Sequence, residues 1–140
     1  MSVREQNLET VAPVLATFKI EQDAGVDQLK DTDLGCPVTL TGDNEVGPIG
    51  DNEQLLGKLI SLTLSDKDDG DRLATVQVGG ICRLVISSTY PTVGDRVVGG
   101  ANATIKQAPV LTGYDPAGGN IARGTVLEVN GTTDCVILLN

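Results

Sequence analysis

The sequence predicts an all-β domain, a compact barrel or sandwich of about seven to nine short strands behind an extended N-terminal arm. Three observations carry this expectation. The apolar residues are mostly Val, Leu, Ile and Ala, with one Phe, two Tyr and no Trp, and they are interleaved with 17 Gly. Many β-branched residues beside many turn formers favour short strands and tight turns. Apolar and polar residues alternate with period two in short runs bounded by Gly, Asp, Asn and Pro, and no stretch carries a convincing helical period.

Residues 1–12 are polar with little pattern and form the arm. Val14, Ala16, Phe18 and Ile20 alternate with Leu15, Thr17 and Lys19, which predicts a first strand; arm and strand together span 1–20, and the single β-rich domain spans 21–140. Residues 21–35, acidic and broken by glycine, are expected as a long loop with room for one helical turn. PVTLT is a short strand, followed by GDNEVGPIGDNE at 42–53. LLGKLISLTLS is expected as the longest strand, with Ile60, Leu62 and Leu64 on its core face and Leu59, Ser61, Thr63 and Ser65 opposite. Asp69-Gly70 turns the chain. RLATVQV returns with Ala74, Val76 and Val78 on one face. After Gly79-Gly80, ICRLVISS places Cys82, Leu84 and Ile86 on its apolar face. A short strand lies in TYPTVGDRVVGGAN, another in ATIKQAPV, and LTGYDPAGGN is a loop by composition. IARGTVLEV and TDCVILL form a final pair, with Asn130-Gly131 as the hairpin signal between them.

Charge and composition narrow the function. One hundred and forty residues suffice for one domain with a real core. Histidine is absent, so neither a Ser-His-Asp nor a Cys-His site can be assembled, and the commonest metal ligand is missing. Carboxylate-only or Ser-Lys chemistry is left, and no enzyme activity is expected. The formal net charge is -9. Residues 1–72 carry fifteen acidic and six basic side chains, and residues 73–140 carry four of each. Such a chain is repelled by phosphate backbones and anionic membranes, so direct nucleic-acid or membrane binding is not expected, whereas a basic protein surface would be attracted. Scarce aromatics also argue against base or sugar stacking. MSVREQNLET has no apolar centre, so neither a secretion signal nor an anchor is expected, and no apolar run is long enough for a membrane span. Cys36, Cys82 and Cys135 lie far apart; an odd number argues against a disulfide framework, and the apolar alternation around Cys82 and Cys135 predicts buried thiols.

Two acidic motifs are metal candidates. DKDDGD could offer Asp66, Asp68 and Asp71 to calcium. Counted from Asp66, though, the sixth residue is Asp71 rather than Gly and the twelfth is Gln77 rather than Glu, so a calcium loop fails and an acidic hairpin fits. The duplicated Gly-Asp-Asn-Glu could bring Asp43, Glu45, Asp51 and Glu53 together if the chain folded back at Gly47-Pro48. Two tight turns around a short segment explain the same residues, and no ligand spacing is met. No cofactor, metal or catalytic residue is therefore assigned. GYDPAGGN matches no phosphate-binding pattern, and Ser87-Ser88-Thr89-Tyr90 has no base beside it.

From Cys36 onward the order of features is distinctive. LLGKLISLTLSDKDDGDRLATVQVGGICRLVISSTYPTVGDRVVGG runs as a glycine-opened strand, an acidic Asp-Gly-Asp hairpin, a V-x-V-x-G strand, an apolar strand and a Val-Gly-Asp turn. IARGTVLEVNGTTDCVILLN closes it. This resembles the head-decoration (capsid cement) proteins of tailed bacteriophages, a trimeric family related in pattern to the phage lambda decoration protein. The resemblance implies a β-tulip or barrel-like domain and a structural role. The expected partners are the major capsid protein and two further copies of the chain, with the homotrimer on the outer surface of the virion after synthesis in the host cytoplasm. Residues 2–20 are expected to contact the capsid, and Gly113–Asn120 to lie at the trimer seam or the outward tip. Other readings stay open: another β-rich tail or neck component, a non-catalytic calcium- or sugar-binding module, or an enzyme using Asp and Glu alone.

Overall fold

The computed structural model describes residues 13–63, 72–109 and 121–140. In chain order these form β1 (Val14–Ile20), β2 (Gln22–Asp23), β3 (Val26–Asp27), a 3-10 turn (Asp31–Asp33), β4 (Pro37–Gly42), β5 (Glu45–Pro48), β6 (Gly57–Leu62), β7 (Leu73–Val85), β8 (Val97–Gly100), β9 (Thr104–Gln107), β10 (Thr125–Asn130) and β11 (Asp134–Leu139). The domain is all-β, as the alternation requires. Five strands run β1-β5-β4-β6-β7, and pairing of β1 with β7 closes them into a barrel. The far half of β7 leaves the barrel and continues as the sheet β7-β11-β10, with the β8-β9 hairpin against it.

Closure gives every barrel strand one inward face. Ile20, Val38, Val46, Leu59, Ala74 and Val76 fill the interior, and Leu29 enters from the loop before β4. A second core is built from Cys82, Leu84 and Ile86, from Cys135 and Ile137, and from Val97, Ile105 and Val126. Ile49 and Leu55, on the segment joining β5 to β6, also reach into this second core.

β7 is where the sequence reading changes most. The two strands expected on either side of Gly79-Gly80 are one strand of 13 residues. Ala74 and Val76 are buried at its start and Cys82 and Leu84 near its end, with Val78 and Gly80 half-buried between them. Gly80 takes φ +89, a conformation that costs glycine little, and so turns the strand from barrel to sheet without ending it. The buried Gln77 side chain holds the bend, its amide donating to the carbonyls of Gly79 and Ile81, both at 3.1 Å.

β6 corrects the expected core face. A register shift between Leu59 and Ser61 inserts one extra residue, and a single insertion reverses which side chains point inward. Leu59 is therefore fully buried, Leu62 packs on the same core, and Ile60 faces out at 39 % exposure. Gly57 opens the strand because a Cβ there would collide with the Gln77 carbonyl oxygen. The outer end of the expected strand and DKDDGD lie at 64–71, outside the described residues.

Three smaller differences follow from pairing. EVGP, expected as a segment between turns, is β5, recruited by β4 on one side and by a parallel contact with β1 on the other. Residues 22–27, expected as loop, form a minimal hairpin. On β1, Ala16, Phe18 and Ile20 alternate inward as expected, but Val14 lies beyond a register shift and is 56 % exposed. β1 pairs along most of its length with β7, so it is part of the barrel wall. Residues 1–12 themselves, like Gly113–Asn120, lie outside the described residues. The final hairpin turns at Asn130-Gly131 as its sequence indicates, with Thr133 N–H donating to Asn130 C=O at 3.1 Å.

Candidate functional site

The two Gly-Asp-Asn-Glu copies fold alike and stay apart in role. Each puts its Asn in the left-handed region, Asn44 at φ 55 and Asn52 at φ 66, and each folds its Glu back toward its Gly. In the first copy Asp43-Asn44 is the hairpin turn between β4 and β5, and Thr41 Oγ1 donates to Glu45 Oε1 at 2.9 Å. In the second, the Gly50 N–H donates to Glu53 Oε1 at 2.6 Å. That second turn docks on β8: Asn52 N–H donates to Gly99 C=O at 2.9 Å, Gly99 N–H to Glu53 C=O at 2.8 Å, and Lys106 pairs with Asp51 at 2.8 Å. Glu45, Glu53 and Asp51 are thus engaged in turns and docking, and Asp43 stands exposed at the first turn. Among the described residues no three Asp, Glu or Cys side chains converge as a metal would need.

A groove of about 350 Å³ is walled by Thr39 and Leu40 of β4 and by Gln54, Leu55 and Leu56 of the segment before β6. It exists because β4 and β6 pair only at Pro37–Lys58 and Val38–Gly57 before they diverge. Arg123 forms its floor. The guanidinium donates to the carbonyl oxygens of Leu55, Leu56 and Val78, joining the β5-β6 segment to β7. Burial pulls this guanidinium below the usual arginine range, and three carbonyl acceptors keep the cation compensated. Sequence reasoning passed over Arg123. Its signal was a lone cation in the apolar alternation of IARGTV.

A second groove, of about 300 Å³, runs past Leu34, Cys36, Lys58 and Val85. On it Arg83 pairs with Asp134 at 2.6 Å across β7 and β11. The Cys36 thiol here is pushed up by burial and by Asp33, so it is a poor nucleophile at neutral pH. Cys82 and Cys135 are buried as expected, and burial pushes the Cys135 thiol up to about 12. Ser87 accepts a hydrogen bond from Thr104 Oγ1 at 2.6 Å, a contact that ties β9 to the end of β7.

Several large apolar side chains are exposed. Val14 and Leu15 stand together at the head of β1, each more than half exposed, and Leu40, Val85 and Val93 are comparable. Among the described residues no helix is long and apolar enough to cross a membrane. Comparison with protein-family models, with curated proteins and with solved structures returns no match to this chain.

Proposed function

We propose that this chain is a structural virion protein, a decoration protein that binds the assembled capsid of a tailed phage as a homotrimer and bridges neighbouring major capsid subunits. The observation that carries this reading is the head of β1. Val14 and Leu15 present adjacent exposed apolar side chains where the chain enters a closed barrel, directly after a polar segment of twelve residues. An exposed apolar step leading into the barrel suits attachment to another surface. The strand-and-glycine order that resembles the decoration family supports the same reading, as does an acidic surface suited to a basic partner.

On this reading the role needs no catalysis. A trimer that binds only the assembled lattice stabilises that lattice by its binding free energy at every site, and three linked contacts raise the effective affinity. The capsid-contacting segment is narrower than residues 2–20, because β1 closes the barrel. It comprises residues 2–12 and the exposed pair at the head of β1.

Sedimentation velocity and co-sedimentation with expanded phage heads test the proposal. The expected result is a trimer that pellets with the heads. Deletion of residues 2–12 is expected to abolish pelleting while circular dichroism stays unchanged. A monomer left in the supernatant overturns the reading.

A further inference from the structure

The groove between β4 and β6 exposes an unpaired strand edge, and its position follows from the register. The carbonyls of Asn44, in the turn before β5, and of Val46 on β5 accept from Lys19 and Glu21 N–H, so Val46 turns its backbone toward β1. Val46 is the partner of Leu40 in the β4-β5 ladder. In an antiparallel pair whose one member faces away, the other faces away too. The backbone N–H and C=O of Leu40 therefore point out of the hairpin, on the same side as the Val38 carbonyl, which accepts from Leu56 N–H at 2.9 Å. One step further, at Leu40, β6 has diverged, and Leu40 has no backbone partner among the described residues. Its side chain is 54 % exposed beside them.

An open edge is a template for another strand. The walls say which kind. Residues 37–56 carry Asp43, Glu45, Asp51 and Glu53 and no Lys or Arg. Of the cations on neighbouring elements, Lys106 is engaged by Asp51 and Arg123 by three carbonyls, while Lys19 lies opposite Glu45 and Lys58 opposite Pro37 in the ladders. Asp43 is exposed at the turn that ends β4. The chain's own segment before β1 complements this poorly, since it carries Glu5 and Glu9 against Arg4.

We propose that the β4 edge at Leu40 takes an extended, lysine- or arginine-bearing segment of a partner protein by strand addition. Main-chain bonds to Leu40 give affinity, and Asp43, exposed at the turn that ends β4, favours basic side chains. On the capsid reading, on which the partner's identity rests, that segment belongs to the major capsid protein.

Fluorescence anisotropy tests this with two labelled heptapeptides, one alternating lysine with valine and one alternating glutamate with valine. The lysine peptide is expected to bind and to weaken as salt is raised, and the glutamate peptide is expected not to bind. Leu40→Pro removes the outward N–H and leaves the β5 ladder intact; it is expected to weaken binding about tenfold, one lost main-chain bond. Leu40→Lys, a charge on the edge itself, is expected to abolish binding of the lysine peptide and serves if the proline variant fails to fold. Asp43→Asn is expected to weaken binding and flatten its salt dependence. The proposal is overturned if neither peptide binds, if both bind equally, or if Leu40→Lys leaves affinity unchanged. It is also overturned if deleting residues 2–12 raises affinity, which would make the chain's own segment the occupant. Peptide binding by a protein that does not pellet with phage heads would leave the edge proposal standing and remove the capsid reading alone.

Discussion

Cys135 shows how burial turns a reactive group into a packing element. Its thiol lies fully buried on β11, and its pKa is pushed up to about 12 from an ordinary 9.0, by burial first and then by Cys82 and Asp134. The sign of the consequence is fixed. Above pH 9 the unfolded chain releases the Cys135 proton while the folded chain keeps it, so the unfolded state gains. The stability contributed by the neutral thiol is whole below pH 9 and is lost as pH rises toward 12. Urea titrations across that window are expected to show a steeper fall for the native protein than for Cys135→Ala. Equal slopes would mean the thiol ionises in place. The burial of Cys82 and Cys135 could be read from their apolar neighbours. That of Arg123 could not, because its partners are three carbonyls on segments distant in sequence. Backbone acceptors carry no residue signature.

At the scale of elements, period-two alternation located strands well and their inward faces less well. β4, β10 and β11 lie where alternation places them, and the Asn130-Gly131 hairpin follows its turn chemistry. The failures share a cause. Alternation assumes an unbroken pleat, and the extra residue between Leu59 and Ser61 lets both Leu59 and Leu62 face the core, so Leu62 points as expected while Leu59 and Ile60 are exchanged. Bulges leave little trace in composition. Likewise Gly79-Gly80 reads as a strand end in sequence, while in the structure the Gln77 amide bridges it and the strand runs on. β5 was invisible because EVGP is too short to alternate, and only its neighbours make it a strand. The bulge makes a direct prediction. Leu59→Ala is expected to cost about 2–4 kcal/mol in urea unfolding, whereas Ile60→Ala, on the outer face, is expected to cost under about 1 kcal/mol. The reverse order would restore an unbroken β6.

At the scale of the whole molecule, the question is whether the barrel and the outer sheet are one folding unit. The two larger cores, taken alone, suggest separate units. The connections argue otherwise. β7 contributes to both cores without a break, so the barrel cannot lose that strand while the outer sheet keeps it. Leu55, beside the barrel, is buried in the outer core, and Arg123 fastens its carbonyl and that of Leu56 to the β7 carbonyl of Val78. Asn52 and Gly99 join the second Gly-Asp-Asn-Glu turn to β8 from the other side. Opening either core exposes the apolar surface of the other along the shared strand, and the separately unfolded halves are both penalised. A single cooperative transition is therefore expected, in which far-UV circular dichroism and the slowest-exchanging amides of β1 and β11 report the same free energy. Leu59→Ala in the barrel and Ile137→Ala in the outer core are each expected to lower that one midpoint, by about 2–4 kcal/mol, without splitting it. A variant in which β11 amides exchange freely while β1 amides stay protected would show that the outer sheet folds on a finished barrel, and that β7 acts as a hinge at Gly80 rather than as a common spine.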